Sequence, residues 1–327
     1  MLGGRKLFGG LGAGGSGTTG GGGWPLWGKI AAVVVVLLLV GYPIAMLLAH
    51  QINDDPDFTP GPEFEVEGGS RAVAMAAALI HREVVETKWV ANTPFPFPSS
   101  FLDNMPNFQV GLIYALSRFA VEMTDSLGRS RGTSQVDRDL DQASGLLKYD
   151  GTIWIWEPSI SIFPTARAET QYEAGMRALM NYNKRLGSGE AVFEKRADNL
   201  IAFLDRVTAD LGGVSAAIDE RLQHAGAGWF DTRADDVFYA NKGRLYGYAL
   251  VLRALGKDFE SILADRNVGV VWENMIASML AAAALRPLVV SNGSPDGLIF
   301  PNHLAAQGFF LLRGRVQLRE VANILAK

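Results

Sequence analysis

The chain contains no cysteine. Disulfides, thiolate catalysis, Cys-ligated zinc and iron–sulfur clusters are therefore excluded. Lack of cysteine fits either side of a bacterial inner membrane and does not choose between them. Histidine is scarce too, with His50, His81, His224 and His303 as the full set. None lies in H-E-x-x-H or Glu-x-x-His, so the helical zinc and di-iron signatures are missing. Glu220 and His224 stand at i,i+4, but two ligands do not make a metal site. The P-loop and the G-x-S-x-G nucleophile elbow are also absent. No cofactor and no metal are implied.

Positive charge is sparse after the first fifty residues. Three of the 30 basic residues (Arg5, Lys6 and Lys29) precede Asp54, leaving 27 against 34 acids. An acidic remainder without a basic stripe argues against nucleic acid and against electrostatic docking on anionic lipid.

What the chain does have is one uninterrupted apolar run. From Ile30 to Ala49 no residue is charged. At about 1.5 Å per residue this run crosses a ~30 Å hydrocarbon core. Each Ile, Val and Leu in it favours insertion by about 0.3–0.6 kcal/mol. Gly41 and Pro43 are tolerable inside such a helix, and Trp24 and Trp27 stand before it as interfacial aromatics do. A cleaved signal peptide would need a shorter core of roughly 7–15 residues and a small-x-small site, but Leu47 occupies a position where a small residue is wanted. The expected bilayer contact is therefore an uncleaved anchor through residues 30–49. Cations before the run and Asp54, Asp55 and Asp57 after it orient the N-terminus to the cytoplasm and the C-terminal part to the periplasm.

The remainder divides by composition. Residues 1–25 are expected to be a flexible Gly-rich cytoplasmic tail, 26–50 the transmembrane anchor, 51–69 a linker rich in Asp, Pro and Gly, and 70–327 an α-helical periplasmic domain. Ser70 is a fitting N-cap, with Val73, Ala77, Ile80 and Val84 following at helical spacing. The same pattern covers 107–127, 134–149, 166–186, 191–211, 235–255, 268–285 and 302–325. Strand signals are few, at Thr152–Trp156 and Leu288–Val290.

Two stretches repeat. Asn107, Tyr114, Ala115, Leu116 and Ala120 align without gaps on Asn241, Tyr248, Ala249, Leu250 and Ala254. Ile162-Phe163-Pro164 matches Ile299-Phe300-Pro301 at nearly the same separation, and Arg71, Ala72, Ala77 and Leu79 match Arg196, Ala197, Ala202 and Leu204. The fold class is thus mainly α: a transmembrane helix followed by a helical domain, with duplicated units expected at 70–187 and 195–325.

Chemistry is hard to place. Asp137–Asp141 resembles an EF-hand start, but Gln142 and Lys148 stand where Gly and Glu are required. Glu83 and Glu86, and Asp235 and Asp236, are carboxylate pairs that a glycan hydrolase or lyase could use, yet nothing marks any of them as the acid. The loop Trp89–Phe108 is more distinctive. Pro94, Pro96 and Pro98 alternate with Phe95 and Phe97. In a polyproline II segment residues two apart point about 120° from each other, so both rings cannot enter one core pocket. At least one is expected outside, available to a partner. Trp154 and Trp156, followed by Glu157 and Pro158, are expected to line the same surface. Phe95, Phe97, Trp154 and Trp156 are therefore the candidate binding residues, for a protein partner or a second copy of the chain.

The segment WVANTPFPFPSSFLDNMPNFQVG (Trp89–Gly111), with the N-terminal anchor, resembles a bacterial membrane-associated family classed only as a domain of unknown function (number 2333). That resemblance spans most of 25–325 and implies a Gram-negative inner-membrane setting. It implies no activity, and no catalytic residue is carried over from it.

Overall fold

A computed structural model describes residues 25–127, 136–156, 162–223, 232–293 and 301–327. The expected tail before residue 25, Glu157, Pro158, His224, Ile299 and Phe300 lie outside the described residues.

The apolar run forms a helix, α1 (Leu26–Val36), which passes through a π-turn at Leu37–Gly41 into α2 (Tyr42–Ala49). Pro43 has no N–H to offer the carbonyl four residues back, and the wider turn just before it accommodates that loss. From Leu26 to Ala49 the helix is long and apolar enough to cross a membrane, and none of it is buried within the chain. The chain divides into two compact units between Ile44 and Ala45.

The second unit is helical: α3 (Arg71–His81), α4 (Asn104–Glu122), α5 (Arg138–Leu147), α6 (Ala168–Ser188), α7 (Ala197–Gln223), α8 (Thr232–Asp258), the short α9 (Glu260–Asp265), α10 (Gly269–Ala283) and α11 (His303–Leu325). Local chemistry sets their ends. Ser70 caps α3, its hydroxyl accepting from Val73 N at 3.2 Å. The acidic run that resembles an EF-hand is instead a cap and a staple: Asp137 accepts from the N–H groups of Asp139 and Leu140, and both aspartates hold Arg185 of α6 (2.7 and 2.9 Å). Gly189, at φ 78°, closes α6 in the left-handed region.

The described residues contain no strand. Thr152–Trp156 has strand composition, but its backbone meets the returning chain at only two points, Thr165 N to Ile155 O and Ala168 N to Ile153 O. Leu288–Val290 also stays irregular, with Leu288 fully exposed and a single bridge nearby joining Asn292 and Asn302.

At the centre α4 and α8 run parallel. Asn107 meets Asp236, Gly111 meets Ala240, and Ala115 meets Gly247. A Cβ on Gly111 would sit 2.0 Å from the Ala240 carbonyl oxygen, and one on Gly243 would sit 2.0 Å from that of Phe108. Only glycine lets the two backbones approach this closely. The remaining helices pack in corresponding pairs, as two duplicated units require: α3 on α6 as α7 on α11, α5 on α6 as α10 on α11, and α4 on α5 as α8 on α10. Tyr114 and Tyr248 hold corresponding places on the central pair with different partners. Arg244 lies over the Tyr114 ring at 4.1 Å, whereas the Tyr248 hydroxyl donates to Asp210 at 2.7 Å.

The segment 51–69 has a linker's composition and a strap's contacts. It climbs α8 from its middle to its C-terminal end. Asp54 accepts from Lys242 Nζ (2.6 Å) and pairs with Arg286. The Asp55 carbonyl accepts from Tyr246 Oη (2.7 Å), and the Pro56 and Phe58 carbonyls accept from Arg253. At the top, Asp258 accepts from Ser70 Oγ and from the N–H groups of Arg71 and Ala72. Burial alone would raise the Asp54 carboxyl, but hydrogen bonds and charge from Arg286 and Lys242 outweigh it and hold Asp54 below the usual carboxylate range.

A second buried polar group lies where α3 ends. Arg82 and Glu83 pair at 2.7 Å with almost no exposure. Arg82 also donates to Tyr246 Oη (2.8 Å) and lies over the Phe58 ring (4.7 Å). Gln109 of α4 clips the next turn, donating to the Glu83 and Lys88 carbonyls and accepting from Val90 N at 3.0 Å. Lys88, at φ 71°, turns the chain out of the helix towards the aromatic loop.

Candidate functional site

The root of that loop is buried and hydrogen-bonded. Trp89 Nε1 donates to the Gly151 carbonyl at 2.8 Å, and the indole meets Tyr172 edge-on at 5.0 Å. Asn92 Nδ2 donates to the Ile153 carbonyl (3.0 Å) and to Glu169 (2.7 Å). Beyond Asn92 the chain turns outward. Phe97 N donates to the Pro94 carbonyl, and Ser100 N and Oγ both donate to the Phe97 carbonyl across the 3₁₀ turn Pro98–Ser100.

These internal bonds interrupt the continuous polyproline II segment expected from the alternating prolines, although Phe97 itself keeps that backbone geometry at φ −67° and ψ 147°. Both phenylalanines consequently lie outside: Phe95 is 75 % exposed and Phe97 56 %. Neither ring is buried. Phe101 is half exposed as well, its ring 5.4 Å from that of Phe95.

Trp154 and Trp156 are also exposed. The Asn92–Ile153 bond ties the stretch that carries Phe95 and Phe97 to the stretch that carries Trp154 and Trp156 at their roots. Ile162 and Phe163, returning beside Ile155, extend it with exposed apolar surface. Sequence reasoning missed Phe101, Ile162 and Phe163. Phe101 lay within the quoted loop, but no pattern reports which of three nearby phenylalanines is exposed.

His50 Nε2 stands 2.8 Å from the Leu102 carbonyl, and its Nδ1 stands 2.7 Å from the Met46 carbonyl.

The carboxylate pairs fare differently. Glu83 is buried against Arg82, and Glu86 is exposed beside His81 (3.2 Å). They share no cleft. Asp235 and Asp236, by contrast, are joined by Asp103, because the parallel course of α4 and α8 sets their N-termini side by side. Burial, then the charges of Asp103 and Asp236, push the Asp235 carboxyl up to about 7. Burial, then Asp103, also raises Asp236, which hydrogen-bonds to Asp103 and accepts from Asn107 Nδ2 (2.7 Å). At the far end of α8, a cleft of about 910 Å³ lies between the strap and the start of α3, with Arg71, Lys195, Arg253 and Lys257 facing Asp57, Glu65 and Glu67. Sequence spacing could not signal it, since it joins three distant segments.

A family model described as an uncharacterized protein conserved in bacteria (DUF2333) matches residues 65–226 and 219–327. The chain belongs to that family. The DUF2333 match takes in the aromatic surface, strap residues 65–69 and all helices from α3 onward, and leaves the apolar helix outside. No curated protein and no solved structure matches the chain.

Proposed function

We propose that this chain is a single-pass inner-membrane protein, with its N-terminus in the cytoplasm, whose periplasmic helical domain binds or scaffolds an envelope partner through the aromatic surface. The observation that carries the binding role is that surface itself. Phe95, Phe97, Trp154 and Trp156 are large, exposed and seated on buried, hydrogen-bonded roots. Exposed aromatics on a rigid base are characteristic of interfaces, where such residues dominate binding energy.

Two measurements test it. A C-terminal alkaline phosphatase fusion should be active and a cytoplasmic reporter silent, and the opposite pattern refutes the orientation. A photo-crosslinker at Trp156 should give a discrete adduct in intact membranes that is lost with Trp154→Ala. If Trp156 labels nothing beyond what a crosslinker at exposed Lys257 labels, the binding role is wrong.

A second reading, an envelope glycan hydrolase or lyase, is favoured by one observation. Asp235, held near neutrality beside Asp103 and Asp236, has the protonation that a general acid needs at pH 7. Turnover of purified cell wall that disappears with Asp235→Asn would support this reading; no turnover by the intact protein would remove it.

A further inference from the structure

We infer that the loop carrying Phe95, Phe97 and Phe101 docks into the lipid headgroup layer of the membrane that holds the protein, leaving Trp154 and Trp156 for the partner. The inference rests on the reading of Leu26–Ala49 as a membrane anchor. It then follows from a short series of contacts. A helix that fills the hydrocarbon core delivers its next residue, His50, to the membrane surface. His50 lies 2.8 Å from the Leu102 carbonyl. Phe101 is the next residue, about 3.8 Å away along the chain, and its ring lies 5.4 Å from that of Phe95. These contacts hold Phe101 and Phe95 close to the residue at which the chain leaves the bilayer.

The chemistry agrees with the placement. From Val90 to Leu102 the loop carries no charged side chain, so entry into the layer desolvates no ion. Its three rings are exposed in the folded domain. The internal bonds of Phe97 and Ser100 satisfy backbone groups that would otherwise resist leaving water. Interfacial segments bury an apolar face about 5–10 Å deep, a depth that a phenylalanine side chain reaches.

The absence of cysteine makes the test clean. In the full chain, Phe95→Cys, Phe97→Cys, Trp156→Cys, Lys257→Cys and Val36→Cys are made singly and labelled with the fluorophore NBD. Each is reconstituted in phosphatidylethanolamine–phosphatidylglycerol vesicles with or without brominated acyl chains. Probes at 95 and 97 should shift to the blue, lose intensity to the bromine and resist aqueous iodide. Probes at 156 and 257 should behave as in water, and the probe at 36 should be quenched by bromine. If 95 and 97 behave like 257 while 36 is quenched, the lipid inference falls and the anchor stands. An unquenched probe at 36 overturns both. Shielding of 95 and 97 that appears in native membranes but not in pure lipid assigns the loop to a protein and overturns the lipid inference.

Discussion

Asp54→Asn should destabilise the helical domain by about 3–5 kcal/mol, the usual result of removing one partner from a buried ion pair. That is a large share of the ~5–15 kcal/mol that holds a typical domain folded. Lys242 is the reason. Its ammonium is nearly inaccessible to water and would keep only neutral acceptors, the carbonyls of Ala283 and Leu285 and the amide oxygen of the new side chain. Arg286 is largely exposed and would simply return to solvent. Urea unfolding of the detergent-solubilised chain measures the loss. Adding Lys242→Met should restore much of it, because the unpaired charge is then gone. The wild type should also show an acid limb that Asp54→Asn lacks. The folded carboxyl sits below its unfolded value of 3.8, so its stabilisation is present above that pH and is lost as pH falls through the depressed folded value. Equal acid sensitivity in both proteins would show that Asp54 is not the group responsible.

Glu83→Ala should be comparably severe, again at about 3–5 kcal/mol. It leaves the Arg82 guanidinium inside the domain with the Tyr246 hydroxyl and the Phe58 and Tyr246 rings as its company. It also removes one acceptor from Gln109, whose clip on Lys88 and Val90 aims the aromatic loop. The double replacement Arg82→Met with Glu83→Leu should lie much closer to wild type in the same titration, since similar volumes are packed and no charge is stranded. A double variant as unstable as Glu83→Ala would mean that the pair's worth is in its hydrogen-bond network rather than in mutual neutralisation.

The helices are the legible part of this chain. Apolar spacing finds Leu200, Phe203, Leu204, Val207 and Leu211 on one stripe, and all five are buried. Ser70 reads as a cap and is one, but its second partner, Asp258, lies 188 residues away and leaves no local mark. The same distance separates Asp54 from Lys242. A lone lysine on a helix reads as a solvated cation, and only tertiary structure shows it inside. Thr152–Trp156 misleads because its Thr, Ile and Trp residues favour strands on composition, while among the described residues the returning chain bonds it only at Ile153 and Ile155, too few points for a ladder. The aromatic surface is legible as residue types and not as geometry: proline spacing alone suggests an extended segment, and the hydrogen bonds to the Pro94 and Phe97 carbonyls fold it.

The strap changes how the domain meets anything near the lipid. Were 51–69 a free tether, the domain would wander over a volume set by the random-coil reach of the chain, about 5–6 Å times the square root of its length. The loop's contact with the surface would then be one arrangement among many. Pinned along α8 at Lys242, Tyr246 and Arg253, the segment keeps little of that freedom. On the lipid docking proposed above, Phe95 and Phe97 would meet the bilayer at a high effective concentration, and a contact too weak to recruit a soluble protein would suffice for one already tethered.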